Sequence, residues 1–214
     1  MNKAIKNYRL VIGLTGPIAS GKGLALKAIR SLFEEDEDIR SVLLSDYIRD
    51  AVRSQGQELT RDTLREAGNA LRAKAGSGAW AEMMINNLPK VDSGVLLVDS
   101  IRNPGEIDAL RKTFGKSVII VATDADVEER IARVLKRGRE EDSVEIQEIV
   151  RQMKIEMERN PETGFDLQQC KEMADIISTG KESKIERIAE IQSELSRFIS
   201  EREGKETREG KRVA

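Results

Sequence analysis

The chain contains no histidine in its 214 residues. That absence removes imidazole acid–base schemes, His-dependent catalytic triads and His-ligated zinc sites together. Cys170 is the only cysteine, so no internal disulfide forms and a reducing compartment raises no objection. No apolar run approaches the ~20 residues that a membrane-spanning helix needs. The opening residues, MNKAIKNYRL, hold neither the apolar core nor the cleavage site of a secretory leader, and the expected location is the cytoplasm. Nor does one sign of charge prevail. A formal net charge of −2 argues against a general nucleic-acid or membrane-surface binder, so neither is expected as a partner. With 39% apolar and 35% charged residues, the length suits one soluble domain with a heavily charged surface.

What is present concentrates in Gly16 to Gly23, GPIASGKG. An apolar run, Leu10 to Leu14, precedes this segment, and a helical pattern, Leu24 to Ile29, follows it. Strand, glycine-bounded loop, lysine and helix is the order that a phosphate cradle requires. Gly16 and Gly21 let the backbone turn its N–H groups toward one anion. The helix N-terminus adds partial positive charge, and Lys22 can reach the β- and γ-phosphates. The segment reads as a Walker A loop. Phosphoryl transfer relies on positioning and on charge stabilisation by Lys, Arg, Mg²⁺ and a carboxylate, so it survives the absence of histidine.

Four further apolar runs read as buried strands: Val42 to Leu44, Val95 to Val98, Val118 to Val121, and Ile176 with Ile177. Helical stripes lie among them: Val127, Ile131, Val134 and Leu135; then Ile146, Ile149, Met153 and Met157; then Ile185, Ile188, Ile191, Leu195 and Phe198. Alternating strands and helices imply a parallel sheet covered on both faces. The acidic run Glu34 to Asp38 reads as a solvated loop. Residues 201–214, charged and without an apolar stripe, read as a disordered tail.

In open α/β sheets, ligands bind beyond the carboxyl ends of the strands. The second run is followed by Asp46 and Arg49, the third by Asp99 and Arg102, and the fourth by a helix rich in arginine, including Arg130, Arg133, Arg137 and Arg139. Singly, each has an ordinary explanation. Asp46 is also a natural cap for a helix starting near Tyr47, and the arginines are also natural surface ion-pair partners. The pattern Asp-x-x-Arg after two strands, on the edge where the phosphate loop opens, suits an acceptor that carries its own phosphate.

These segments resemble the P-loop nucleoside-monophosphate-kinase group, which includes adenylate kinases, deoxynucleotide kinases and dephospho-CoA kinases. SDYIRDAVRSQGQ is similar to their acceptor-binding stretch, VLLVDSIRNPGEIDAL to their third strand, ERIARVLKRGREED to the opening of an arginine-bearing lid, and ADIISTGK to the last strand and its adenine-side turn. The resemblance implies a three-layer α/β P-loop fold with a five-stranded parallel sheet in the order 2-3-1-4-5. It implies a single domain over residues 1–200, with a mobile acceptor segment at about 46–90 and a lid at about 136–165.

On this resemblance the function is ATP-dependent phosphotransfer to a small acceptor, most simply a nucleoside or deoxynucleoside monophosphate, with Mg²⁺ and ATP as cofactors. Gly16, Pro17, Ile18, Ala19, Ser20, Gly21, Lys22, Gly23, Leu24, Arg133 and Gly180 would bind the donor nucleotide. Asp46, Arg49, Asp99 and Arg102 would bind the acceptor, and Lys22, Asp46, Arg137 and Arg139 would act on the moving group. Two departures stand out. Gly23 and Leu24 replace the usual Mg²⁺-holding Ser or Thr, so Mg²⁺ would rest on phosphate oxygens and water, steadied by Ser20, Asp46 or Asp99. The spacing from Asp99 to Arg102 is one residue shorter than in adenylate kinases. Two alternatives stay open: a dephospho-CoA kinase with Asp46 as proton acceptor, and a nucleotide-binding regulator without turnover.

Overall fold

The computed structural model describes residues 8–34, 37–89, 93–139, 142–160, 162, 164–179 and 183–210. Gly180, part of the acidic run at 35–36 and the tail at 211–214 lie outside the described residues. Five parallel strands form one sheet: β1 (Leu10–Thr15), β2 (Ile39–Leu43), β3 (Val95–Ile101), β4 (Val118–Thr123) and β5 (Ile176–Ser178). Their order is β2-β3-β1-β4-β5, the order that the family resemblance implies.

The helices are α1 (Lys22–Arg30), α2 (Leu44–Ser54), α3 (Arg61–Ala75), α4 (Ala79–Asn87), α5 (Pro104–Phe114), α6 (Val127–Arg137), α7 (Ile146–Met157), α8 (Leu167–Glu172) and α9 (Lys184–Gly210). Alternate side chains of the central strands point to opposite faces, and each face carries its own core. Val11, Leu96, Val98 and Ile120 pack with Leu44, Met84, Ile107 and Leu110. Ile12, Leu14, Leu97 and Val121 pack with Ala25, Ile29, Ile191 and Leu195. This two-sided burial explains why the central strands read as continuous apolar runs instead of alternating ones.

Several expectations need correction. Leu44 belongs to α2, not to the second strand, and α2 starts before Tyr47 with Leu43 at its cap position, so Asp46 is not a cap. The apolar stripes are only partly buried: Val134, Ile149 and Met153 pack inward, whereas Val127, Leu135, Ile146, Met157 and Ile185 are exposed. Helix α9 continues to Gly210, into the segment expected to be disordered. Among the described residues, no helix is long and apolar enough to cross a membrane.

Candidate active site

The loop between β1 and α1 is shaped by three residues with positive φ: Gly16 at 135°, Ala19 at 60° and Gly21 at 113°. Gly16 has no alternative, because a Cβ there would lie 2.2 Å from the Thr123 carbonyl oxygen, in a backbone conformation that L side chains rarely adopt. The Lys22 ammonium folds back over the loop and donates to the carbonyls of Gly16 (2.7 Å) and Pro17 (2.9 Å). Burial, followed by the neighbouring Arg102 charge, pulls its pKa down to about 8, against the opposing pull of Asp99 and Glu156.

The loop opens into a cavity of about 390 Å³ at the carboxyl ends of the strands. Lys22, Arg49, Arg61, Arg65, Arg102, Arg133, Arg137 and Arg139 line it, against two carboxylates, Asp99 and Glu156. Arg49 reaches the cavity from α2 while donating to Ser45 Oγ and to Asp46 Oδ1, both at 2.9 Å. Arg133 donates to the Ala19 carbonyl at 3.0 Å and pairs with Glu129. Arg137 binds both oxygens of the buried Asp142, which also receives Arg61 from α3. Burial alone would raise the Asp142 pKa, but these two guanidinium partners hold it below the usual carboxylate range.

Arg102 is placed by the turn after β3. That strand slips register against β1 near Asp99, and Ser100 takes a left-handed φ of 71°, with its N–H donating to Asp99 Oδ1 at 2.5 Å. Asn103 and Glu106 then form a capping box with Pro104 in the first turn of α5. Glu106 accepts the Arg102 N–H at 2.8 Å and is itself held by the buried Arg72 of α3 at 2.8 Å. The Arg102 side chain lies 4.8 Å over the Phe165 ring and pairs with Glu156.

The structure therefore gathers Lys22, Arg49, Asp99, Arg102, Arg133, Arg137 and Arg139 around one cavity, together with Ile18 to Leu24 of the loop. Asp46 is not among the cavity residues. Its side chain is 58% exposed and serves Arg49 as an i,i+3 partner, because position three of α2 points away from the cavity. Sequence reasoning missed Glu156, Arg61, Arg65, Asp142 and Phe165. Glu156 had a usable signal: spacings of four and three from Ile149 through Met153 put it on the buried face, where Met157 was expected.

The donor atoms available for Mg²⁺ are few. Ser20 is fully buried, with its Oγ hydrogen-bonded to Thr123 Oγ1 at 2.7 Å. Gly23 offers no side-chain oxygen, although a Cβ there would meet nothing within 4 Å. Among the described residues, no group of three His, Cys, Asp or Glu side chains could hold a metal ion. A protein-built metal centre does not fit; of the three expected residues, only Asp99 presents a carboxylate to the cavity, where it could meet a phosphate-borne cation through water.

A family model described as an AAA domain matches residues 15–150. A UPF0200 protein of Methanoculleus marisnigri is 32% identical over 188 residues, covering 88% of this chain and 96% of that one. The chain belongs to the UPF0200 family. A second UPF0200 protein, from Methanosarcina mazei, is 33% identical over 132 residues, covering 62% of this chain and 68% of its own. A UPF0200/UPF0201 protein of Archaeoglobus fulgidus is 31% identical over 194 residues, and this UPF0200 chain spans 57% of its length. Among solved structures, shikimate kinase from Acinetobacter baumannii superposes with a TM-score of 0.56 at 14% identity, over 90% of this chain and 94% of its own. TT1252 from Thermus thermophilus gives 0.53 at 16% identity, over 90% and 97%. These likenesses show the fold: this UPF0200 protein has a nucleotide-binding P-loop in a kinase-like α/β domain.

Proposed function

We propose that the chain is an ATP-dependent phosphotransferase that delivers a phosphoryl group to a small anionic acceptor, in first place a nucleoside or deoxynucleoside monophosphate. One observation carries the reading: the phosphate loop with Lys22 faces arginines from α2, α3, the turn after β3 and α6 across a single cavity. A nucleotide binder without turnover needs the loop but has no use for cations on the opposite wall. Lys22 and the loop N–H groups would hold the donor phosphates. Arg49 and Arg102 would hold the acceptor, and Arg137 with Arg139 would neutralise charge on the group in flight. Mg²⁺ would ride on the donor phosphates, where it neutralises charge. The fold likeness to a shikimate kinase is compatible with this reading but does not name the acceptor. The exposed position of Asp46 weighs against the dephospho-CoA kinase alternative, which assigned it the acceptor's proton.

Coupled ADP release, measured with a panel of monophosphates and with dephospho-CoA, tests the reading. At least one monophosphate is expected to stimulate ADP formation. Lys22→Ala is expected to abolish it with an unchanged melting curve, since the lysine contributes several kcal/mol of charge stabilisation in a water-poor site. Nucleotide binding with no acceptor-dependent ADP from any compound would leave a binding protein and sink the kinase assignment.

A further inference from the structure

Glu156 has a position that phosphotransfer as described does not use. It projects from α7, its side chain is 6% exposed, and its carboxylate faces one backbone N–H and three cations. The Ile18 N–H of the phosphate loop donates to Oε2 at 2.7 Å. Arg102 pairs with Oε1, and Arg130 approaches Oε2 at 3.4 Å. Arg130 also donates through Nε to the Ile18 carbonyl at 2.8 Å, so the Ile18 residue is held on both its N–H and its C=O by one ion pair. Lys22 contributes at longer range. Burial would raise the carboxyl pKa, yet Arg102, Lys22, the Ile18 N–H and Arg130 together keep it low.

A buried carboxylate is costly unless it is paired, and here its partners are a phosphate-loop amide and the arginine assigned to the acceptor phosphate. These are donors of the kind that hold phosphate oxygens. The same arrangement recurs across the cavity, where Asp142 occupies Arg137 and Arg61. We propose that the Ile18 amide, Arg102 and Arg130 form an anion seat that Glu156 fills with its own carboxylate until a phosphate group of the substrate takes it over. This inference rests on reading the cavity as a phosphate-handling site.

A phosphate dianion brings more charge and more acceptor oxygens than a carboxylate, so it can displace Glu156 from Arg102. Glu156 thereby sets how tightly the seat holds an anion. It keeps Arg102 compensated and the Ile18 amide satisfied while no ligand is present, and it competes with every anion that arrives.

Isothermal titration of the full chain with inorganic phosphate, at ionic strength held constant with sodium chloride, tests the proposal. Glu156→Gln keeps an acceptor for the Ile18 N–H and removes the competing charge. It is expected to bind phosphate at least about tenfold more tightly than wild type, and phosphate is expected to raise its melting temperature more. Glu148→Gln, which removes a partly exposed charge of the same helix outside the cavity lining, is expected to leave phosphate affinity unchanged. If Glu156→Gln is unfolded in phosphate-free buffer, phosphate should refold it. Equal or weaker phosphate binding by Glu156→Gln, binding to neither protein, the same gain in Glu148→Gln, or no refolding by phosphate would each overturn the proposal. The titration does not involve turnover. A phosphate effect without kinase activity would therefore remove the kinase reading alone, and kinase activity without the phosphate effect would remove the anion seat alone.

Discussion

The Lys22 ammonium donates to two carbonyls of its own loop, and burial with Arg102 nearby brings its pKa to about 8. A bound phosphate would favour the charged form and raise that value. Ligand binding is then coupled to proton uptake wherever free Lys22 is neutral, which is above about pH 8. Nucleotide affinity measured by titration should be nearly flat from pH 6.5 to 7.5. Above pH 8 it should fall by up to about tenfold per unit, until the pKa of the bound form is reached. Lys22→Ala should bind weakly with no such slope; a wild-type profile flat to pH 9.5 would show that the lysine does not meet the phosphate. Lys22 was legible in the sequence because a phosphate loop is local, with its chemistry fixed by spacing along a few residues. Asp46 misled for the opposite reason. Whether a residue three places into a helix faces a cavity depends on where the helix begins, and α2 begins three residues earlier than its apolar pattern suggested.

Helix α3 meets α6 and α7 through charged side chains, whereas α6 and α7 share a small apolar cluster. Asp142 joins Arg61 of α3 to Arg137 of α6, and Asp62 of α3 binds Arg151 and Gln152 of α7. That apolar cluster is small: Ile18 of the loop with Val134, Ile149 and Met153, flanked by Ala19 and Ile131. Segments joined this way separate at lower cost than segments sharing a large apolar interface, as the proposed phosphotransfer would require. Removal of one partner from a buried pair is still expensive, about 3–5 kcal/mol. Asp142→Ala is therefore expected to lower the melting temperature and to release Arg137 and Arg61 from their carboxylate, changing kcat more than the KM for ATP. A KM-only change would make Arg137 an ordinary ground-state contact. None of this network was visible beforehand, because its links from α3 span 81 to 90 residues and polar residues, even Arg137 and Asp142 five apart, carry no periodic signal. The strands were visible: residues buried on both faces must be apolar throughout, and that leaves an unbroken run.

The class followed from the alternation of strands and helices and the sheet order from the family resemblance, and the order β2-β3-β1-β4-β5 places β1 at the centre with its loop between the two cores. The long helix α9 closes one face, where Ile191 and Leu195 are buried, and sends Arg187 to the Ser20 carbonyl at the back of the loop. The distribution of charge has a further consequence. The chain has a net charge of −2 and a pI near 5.6, yet eight cations and only two carboxylates line one cavity. The remaining surface is accordingly more acidic than the whole-chain figure indicates. Such a molecule should be retained by an anion-exchange resin and repel polyanions too large for the cavity, while small multivalent anions are drawn to one mouth. Their association rate should fall as salt is added, contrary to the sign that the net charge alone would give, and stopped-flow measurement of nucleotide capture between about 20 and 300 mM salt would show it. For its ligands the protein is a cation; for nearly everything else in solution it is an anion.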